Sequence, residues 1–485
     1  MDATGPTPAA LPTTDRVLDA AEFVGQLASW LPRQRWFPGT LEGGQQLRLT
    51  DRADLTDGVP RVVDLIVRRC DAAGRTLADL QVPLVLEPVE TDNAADGARE
   101  EGAEIAVVTV DGTAVRVLDA ARHPAGRAAL LAVVTDTARI AQGTFLLEGD
   151  AAPTIEVDLR AAPVRSRILA GEQSNTSMIL EFADQPAVIA KLFRVLQEGE
   201  NPDVVVQGTL AAAGSAQVAP MIGAARVRWA AGDGDSDHEA DGALHGHAIV
   251  IQQFFPGVED AWRVALRDAV AGKDFSAGAR ELGEATAQVH AVLAAQMETT
   301  APSGEERERI ISSMLARLEE ARAEVAEVDA SADRFAQIIR SAASVAWPPL
   351  QRIHGDYHLG QVLAVPGRGW VLLDFEGEPM RPLAERVLPD CPIRDVAGML
   401  RSLDYVAGAV RLEHDSDAGA WAASAREAFM DGYVRAAGID PEDSAFRMLL
   451  AAFEADKAVY EALYETRNRP DWAPIPLEAL ARILG

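Results

Sequence analysis

Residues 351–378 read QRIHGDYHLGQVLAVPGRGWVLLDFEGE, and this stretch decides the fold. Two polar clusters, HGDYH and DFEGE, lie on either side of the apolar run Gly369–Leu373. Short apolar segments separated by Pro-Gly predict a loop, a strand, a turn and a second strand, with carboxylates at both ends. We therefore expect a hairpin that brings the two polar clusters together.

The side chains of these clusters suit phosphoryl transfer. That reaction needs a carboxylate to orient and deprotonate an acceptor hydroxyl, and oxygen ligands for the Mg²⁺ that bridges nucleotide phosphates. Asp356 suits the first role, and Gln361 and Asp374 suit the second. The alternative is a polar hairpin whose acids are only solvated, which a lone His-x-Asp would not exclude.

Length and charge narrow the class of protein. The chain has 485 residues, 48% of them hydrophobic, which predicts two or three domains with a sizeable core. A net charge of −29 argues against nucleic acid or an anionic membrane as partner. Two cysteines, no signal-like N-terminus and no long apolar run predict a cytoplasmic protein.

Lysine is rare in this chain. Of 45 basic residues only Lys191, Lys273 and Lys457 are lysine. Ammonium is a compact point charge and guanidinium a wide planar fork, so a retained Lys points to a specific site. Lys191 is the single charge in the apolar segment PAVIAKLFRV, where a Lys is normally costly.

The order of secondary structure predicts an α+β fold. Residues 45–118 and 153–195 alternate in the manner of antiparallel strands, whereas the chain from residue 259 is mostly helical apart from the hairpin. A strand-rich half followed by a helix-rich half is typical of a bilobal kinase.

HGDYHLGQVL and VLLDFEGEP resemble the catalytic core of the actinobacterial maltokinases, which are related to the aminoglycoside and choline kinases and distantly to the protein kinases. PRQRWFPG at 32–39 is similar to the start of that family. The resemblance implies a bilobal protein-kinase-like fold of the aminoglycoside phosphotransferase type with an N-terminal cap subdomain. We expect the cap at 1–92, a strand-rich nucleotide-binding lobe at 93–256 and a helical lobe with the acceptor site at 257–485.

For the nucleotide, the resemblance implies ATP and assigns three segments. The EQSNTS string predicts a phosphate-covering turn with Ser174, Asn175 and Thr176, and Lys191 is the expected phosphate-binding Lys. Gln253 and Phe255 fall in the interlobe hinge and would offer backbone groups to adenine.

One family feature is absent beside Lys191. Maltokinases place a Glu after NPD that could pair with this Lys, whereas this chain has Val204–Val206 there. Asp203 and Glu200 are the candidate replacements.

For the acceptor, RDVAGMLRSLDY and EADKAVYEALYETRNRPDW resemble the family's later motifs. The predicted acceptor residues are His358, Glu376, Arg394, Asp395, Tyr460, Glu461, Tyr464 and Trp472. Asp395 and Arg394 could instead support the catalytic loop, and the tyrosines could belong to the core.

Two substitutions relative to maltokinases favour a smaller acceptor than maltose. Gly408 stands where the family tends to have an aromatic residue, and Asn468 where it has His. Loss of an aromatic platform weakens the hold on a second sugar ring, while an acidic pocket suits an ammonium group. The preferred acceptor is therefore glucosamine, phosphorylated at its 6-hydroxyl, as in the glucosamine kinase branch of the family. Maltose, an aminoglycoside and a non-catalytic pseudokinase module are the alternatives.

Overall fold

The computed structural model describes residues 11–41, 43–89, 100–169, 175–232, 242–378 and 383–485. The chain divides into two compact units. The first comprises Met1–Val204 and Pro220–Pro256, and the second Val205–Ala219 and Gly257–Gly485.

The strands are β1 Gln46–Asp54, β2 Arg61–Cys70, β3 Thr76–Gln81, β4 Leu84–Pro88, β5 Glu104–Val110, β6 Thr113–Asp119, β7 Arg139–Gln142, β8 Phe145–Ala151, β9 Arg165–Ile168, β10 Asn175–Glu181, β11 Val188–Phe193, β12 Val195–Leu196, β13 Met221–Ala230, β14 Ala243–Gln253, β15 Glu259–Asp260, β16 Val362–Val365 and β17 Gly369–Leu372. The helices are α1 Thr14–Leu18, α2 Ala21–Trp30, α3 Pro124–Thr135, α4 Pro202–Ala212, α5 Ala261–Val270, α6 Ser276–Gln296, α7 Gly304–Glu324, α8 Ala326–Asp329, α9 Ala332–Ser341, α10 Leu383–Arg386, α11 Ile393–His414, α12 Gly419–Ala437, α13 Ser444–Asn468 and α14 Pro474–Leu484.

The first unit contains two antiparallel sheets of seven strands. One has the order β12-β3-β2-β4-β6-β5 with β1 paired to β2, and the other the order β7-β8-β13-β14-β11-β10-β9. Strand β2 is buried on both faces: Val63 and Val67 pack with the α1–α2 cluster, and Val62 and Ile66 with the α3 cluster. Because successive side chains point to opposite faces, burial on both faces requires a continuous apolar run.

A buried ion pair joins the two sheets of this unit. The guanidinium of Arg194, which follows β11, lies fully buried and donates to both oxygens of Asp119 at 2.7 and 2.8 Å. The same guanidinium lies 4.9 Å from the ring centroid of Trp36. Its charge is therefore compensated where solvent cannot reach it.

The second unit is mainly helical, with the short sheet β15-β16-β17. Helices α6 and α12 cross closely at two glycines, because a Cβ at Gly283 would lie 2.1 Å from the carbonyl oxygen of Phe429 and one at Gly432 2.1 Å from that of Arg280. A larger residue at either position would push the helices apart.

The predicted α+β class and the order of strand-rich and helix-rich halves are confirmed. The boundary at 256/257 coincides with a unit boundary, whereas the boundary at 92/93 falls inside the first sheet, which continues through β5 and β6. The division into cap and lobe stays a prediction. Within the described part of the chain, no helix combines the length and apolar character needed to cross a membrane.

Candidate active site

The polar clusters of the hairpin lie together because β16 and β17 pair in register, Val362 opposite Leu372. The turn Leu359–Gln361 precedes β16, and Asp374 follows β17 with a left-handed backbone at φ 59°. The amide Nε2 of Gln361 donates to Oδ2 of Asp374 at 3.0 Å. The strand pairing therefore delivers two oxygen-bearing side chains to one place, as the sequence predicted.

Asp395, the third residue of α11, fixes the catalytic loop. Its carboxylate is buried and accepts from the backbone N–H of His354 at 2.8 Å and of Gly355 at 2.9 Å. His290 on α6 lies 3.0 Å from the same carboxylate. Burial raises the pKa of Asp395, but the hydrogen bond and charge of His290 and the nearby His354 outweigh it and lower the pKa overall. Asp395 thus stays ionised and holds the two residues before Asp356.

The loop also lies directly against α11. A Cβ at Gly398 would stand 2.6 Å from the carbonyl oxygen of Tyr357, so only glycine permits this approach. The hydroxyl of Tyr357 lies 3.0 Å from that of Thr286 on α6, and Nε2 of His354 lies 2.8 Å from the carbonyl oxygen of Leu373. These contacts position the backbone on both sides of Asp356, so its carboxylate is held by a rigid support.

Asp356 opens onto a pocket, here named the acceptor pocket. Its lining contains the charged and aromatic residues Arg317, Asp356, Glu378, Arg394, Asp395, Asp456, Lys457 and Tyr460, together with Gly355, Tyr357, Gly398 and Phe453. Residues from α7, the catalytic loop, α11 and α13 meet there. Carboxylates beside an aromatic ring are the groups with which proteins hold sugar hydroxyls and ammonium groups.

Lys457 on α13 lies beside Asp356, the predicted catalytic carboxylate. Its Nζ is 3.8 Å from Oδ1 of Asp356 and 5.3 Å from the ring centroid of Tyr460. Burial lowers the pKa of Lys457, but the carboxylates of Asp356, Glu461 and Glu378 outweigh it and raise the pKa. The ammonium is therefore charged at neutral pH and faces the reacting end of the pocket.

The opposite wall is a network of paired charges. Arg317 donates to both oxygens of Asp456 at 2.8 and 2.6 Å, and Nη1 of Arg394 lies 3.6 Å from Oδ2 of Asp456. Arg394 also donates to Asp390 at 2.8 Å. Burial lowers the pKa of Arg394, but the carboxylates of Asp390 and Asp456 raise it overall. Asp456 is thereby compensated, whereas the carboxylate of Glu378 makes no hydrogen bond with any residue that the structure describes.

Several predicted acceptor residues lie outside this lining. Glu461 accepts from Arg401 at 2.8 Å in a buried pair, and the ring of Trp472 stacks on Tyr405 at 6.2 Å. Glu376 belongs to the turn after β17 and its carbonyl accepts from Arg386. Because the carboxylate of Glu461 is committed to Arg401, its predicted contact with the acceptor is not supported by this geometry.

The other two predicted residues lie at the pocket edge or in the loop. Tyr464 stacks on Tyr460 with ring centroids 6.3 Å apart and is 45% exposed. His358 accepts from the N–H of Gly360 at 3.1 Å, and burial lowers its pKa, so a neutral imidazole shapes the turn. Of the predicted acceptor residues, Arg394, Asp395 and Tyr460 line the pocket.

The inference drawn from Gly408 is wrong in its mechanism. Gly408 lies in α11 where α14 packs on it, and a Cβ there would meet Cδ1 of Ile475 at 2.2 Å. It does not line the acceptor pocket, so it says nothing about a second sugar ring. The position is glycine because two helices touch at it.

In the first unit, Lys191 of β11 forms an ion pair with an aspartate. Its Nζ lies 3.1 Å from Oδ2 of Asp203, whose side chain is 3% exposed at the start of α4. The N–H of Asp203 donates to Oδ1 of Asn201 at 2.9 Å, which fixes the turn. Glu200 instead lies 3.6 Å from Arg226. Of the two candidates, Asp203 therefore takes the place of the missing family Glu.

The predicted phosphate-covering turn is corrected in one residue. Ser177 lies opposite Lys191 and Asn175 opposite Phe193, so both share the face of Lys191, because paired residues point to the same side. Thr176 points to the other face, where its hydroxyl accepts from Arg194 at 2.9 Å. The side chain of Thr176 therefore belongs to this buried contact, and a phosphate contact of its backbone stays a prediction. Ser174 lies outside the described residues.

The predicted hinge lies at the end of β14. Gln253 pairs with Val188 of β11, and its N–H donates to the carbonyl oxygen of Pro220 at 2.8 Å. The N–H of Phe254 donates to Ala187, also at 2.8 Å. Since the N–H of Gln253 is used within the sheet, it is not available to a base; the adenine contact of Phe255 stays a prediction.

Four charged residues of the acceptor pocket were not among the predicted site residues: Arg317, Glu378, Asp456 and Lys457. Lys457 carried a signal, because it is one of three lysines in an arginine-rich chain. Glu378 is the last residue of the stretch 351–378, in which other residues were given the predicted roles. Nothing local marks Arg317, since α7 is generally charged and only the fold brings it to Asp456.

Comparison with known proteins agrees with this geometry. The maltokinase N-terminal cap domain model matches residues 30–122, and the phosphotransferase enzyme family model matches residues 224–442. A glucosamine kinase of Streptacidiphilus jiangxiensis is 29% identical over 360 residues, covering 69% of this chain and 77% of that protein. A glucosamine kinase of Mycolicibacterium smegmatis is 28% identical over 260 residues, covering 49% of this chain and 62% of that protein.

Solved structures share the fold over nearly the whole length. A glucosamine kinase in complex with glucosamine, ADP and inorganic phosphate has a TM-score of 0.67 and 23% identity, covering 98% of this chain and 100% of that chain. A second glucosamine kinase structure, crystal form A, has a TM-score of 0.66 and 25% identity, covering 98% and 99%. The chain therefore matches the maltokinase N-terminal cap domain model over residues 30–122 and the phosphotransferase enzyme family model over residues 224–442, and it shares the fold of these glucosamine kinase structures.

Proposed function

We propose that this chain is an ATP-dependent glucosamine kinase that transfers the γ-phosphoryl group of ATP to the 6-hydroxyl of D-glucosamine. The observation that carries the proposal is the position of Asp356, held by the Asp395 contacts at the mouth of a pocket lined by carboxylates and Tyr460. The relatives named above, both glucosamine kinases, support the same acceptor.

The catalytic residues act on the acceptor hydroxyl and on the charge that develops around it. Asp356 orients the hydroxyl and accepts its proton as the oxygen attacks phosphorus. Lys457, 3.8 Å from Asp356, supplies a positive charge at the reacting end of the pocket. A positive charge there stabilises the phosphoryl oxygens more in the transition state than in the ground state.

A divalent cation fits the hairpin. Nε2 of Gln361 lies 3.0 Å from Oδ2 of Asp374, so the carboxylate and, once the amide is turned, Oε1 of Gln361 would hold the cation, because a hard cation takes oxygen ligands. Mg²⁺, when bound, would neutralise charge on the nucleotide phosphates. On the first unit, Lys191 would contact the phosphates in the position set by Asp203, with Asn175 and Ser177 on the same face of the sheet.

The charge of the pocket favours an amino sugar over maltose. Asp456 is compensated by Arg317, and Asp395 by the loop amides, but Glu378 makes no hydrogen bond with a described residue. Its carboxylate is the candidate partner for the 2-ammonium group, because a charge-assisted hydrogen bond is roughly twice as strong as a neutral one. Maltose carries no cationic group that could bind to this carboxylate.

An assay of ADP release with ATP, Mg²⁺ and glucosamine tests the proposal. Asp356→Asn keeps the shape but removes the base, and we expect turnover to fall by about 10²-fold or more. Removal of Mg²⁺ with EDTA should abolish turnover and added Mg²⁺ should restore it. Near-wild-type turnover by a folded Asp356→Asn protein would overturn the role given to Asp356. If the wild type releases no ADP in the presence of glucosamine, the proposal is overturned in favour of another acceptor or a non-catalytic role.

A further inference from the structure

The second unit contains a larger opening away from the acceptor pocket. This helix cleft, about 530 Å³, lies between α11, α12, α13 and α14. Among the described residues, its lining and that of the acceptor pocket have no member in common. The volume falls within the range of ordinary small-molecule sites.

The floor of the helix cleft is apolar. Leu400, Gly408, Ala422, Ile475 and Ala479 contribute to it, and all five are buried. The close contact of Gly408 with Ile475 brings α14 onto α11 at one side of the cleft. An apolar body would therefore be desolvated on this floor.

The inner charges of the cleft cancel one another. Asp404 accepts from Arg426 at 3.1 Å and from Arg482 at 2.7 Å, and Glu454 accepts from the same two arginines at 2.6 and 3.0 Å. Arg401 donates to Asp404 as well as to Glu461, so three carboxylates share three guanidinium groups. An anionic ligand would have to displace a carboxylate from this network, which costs the energy of a buried ion pair.

The rim carries a surplus of negative charge. Arg411 and Glu478 neutralise each other, with oxygen contacts at 2.6 and 2.8 Å. Glu427 makes no hydrogen bond or ion pair with any residue in the described ranges, and Asp417 accepts only a backbone N–H, that of Gly419 at 2.8 Å, from this part of the chain. Both lie on the cleft lining. The rim therefore complements a positive charge.

We propose that the helix cleft is a second small-molecule site, one that takes an organic cation with an apolar body. The apolar body lies on the floor formed by α11 and α14, and the cationic group lies at the rim beside Glu427 and Asp417. This site does not depend on the identity of the acceptor sugar.

The test uses the full-length protein and two probes of equal shape. Binding of 2-phenylethylammonium and of neutral 2-phenylethanol is measured by isothermal titration calorimetry with saturating glucosamine present, which keeps the amine out of the acceptor pocket. We expect the cation to bind at least about fivefold more tightly than the alcohol. Equal affinities, or tighter binding of the alcohol, would overturn the proposal.

Three variants locate the binding. Glu427→Gln should remove the preference for the cation, and Ala423→Trp, at an exposed position of the lining, should fill the cleft and abolish binding of both probes. Glu281→Gln on α6, an exposed acid outside the lining, is the matched control and should bind like the wild type. Wild-type binding by both cleft variants, with glucosamine turnover confirming that they are folded, would show that the cation binds elsewhere.

Discussion

The ammonium of Lys191 lies 3.1 Å from the carboxylate of Asp203. Asp203 is the second residue of α4, where the helix dipole favours a negative charge, and its N–H is tied to the side chain of Asn201. A short acid anchored at a helix start therefore holds a lysine that relatives would pair with a Glu further along the helix.

Removing this acid should impair use of the nucleotide. Asp203→Asn removes the carboxylate that lies 3.1 Å from Lys191, so we expect the KM for ATP to rise by about tenfold or more, with a smaller change in the KM for glucosamine. Steady-state kinetics with ATP varied would show it. Glu200→Gln is the matched control, since Glu200 pairs with Arg226 and not with Lys191; equal effects of the two substitutions would refute the role given to Asp203.

Lys457 should contribute to the chemical step. Lys457→Gln removes the charge 3.8 Å from Asp356, and we expect kcat to fall by about 10- to 100-fold while the KM for ATP changes little. Lys273 is a suitable control, because it is exposed in the turn after α5. Lys273→Gln should behave as wild type. An unchanged kcat in the Lys457 variant would exclude a role in turnover.

Asp64 should make stability depend on pH. The side chain is fully buried, with Gln81 donating to it at 2.7 Å, and burial raises its pKa from 3.8 to about 7. A carboxyl whose pKa is raised by folding stabilises the native state while protonated, and this contribution is lost as the pH rises towards and through 7. Asp64→Asn cannot ionise.

We therefore expect Asp64→Asn to raise the free energy of unfolding at pH 8, by roughly 1–4 kcal/mol, and by clearly less at pH 5, because the loss begins above the unfolded pKa of 3.8 and is complete only above about pH 7. Urea denaturation at the two pH values measures the difference. Asp57→Asn, at an exposed loop position, should leave the pH dependence as in the wild type. Destabilisation by Asp64→Asn at pH 8 would mean that the ionised carboxylate is favoured by Arg194.

Gly408 should matter for stability and not for acceptor choice. Gly408→Ala forces a Cβ against Ile475, and overpacking of this kind costs roughly 1–3 kcal/mol. Gly25→Ala in α2 is the control, because a Cβ there meets nothing within 4 Å and the helix gains up to about 1 kcal/mol. Thermal unfolding distinguishes the two variants, because the Tm should fall for Gly408→Ala and should not fall for Gly25→Ala. A changed ratio of glucosamine to maltose turnover in Gly408→Ala would instead place Gly408 near the acceptor.

The sequence predicted best where the information is local. The hairpin with Gln361 and Asp374 follows from alternation and a Pro-Gly turn within a few residues, and the structure pairs them as expected. The order of the strand-rich and helix-rich halves follows from the alternation pattern, and the resemblance to a known family added the kinase-like fold type. Both rest on residues that are close together in the chain.

What could not be predicted depends on partners far away in the chain. Thr176 was misplaced because the register of β10 on β11 decides which face it occupies, and a shift by one residue reverses every side chain. Gly408 was misread because its partner Ile475 lies on another helix. Glu461 was assigned to the acceptor because nothing in the sequence reveals that Arg401 occupies its carboxylate.

The central claim is that this enzyme phosphorylates an amino sugar. Its most direct test is the ratio of specificity constants, kcat/KM, for glucosamine, N-acetylglucosamine and maltose at saturating ATP and Mg²⁺, because specificity is a difference between transition-state affinities. We predict at least about tenfold preference for glucosamine over each of the others, since only glucosamine carries the ammonium that Glu378 can bind. A higher kcat/KM for maltose would contradict the account and identify the chain as a maltokinase.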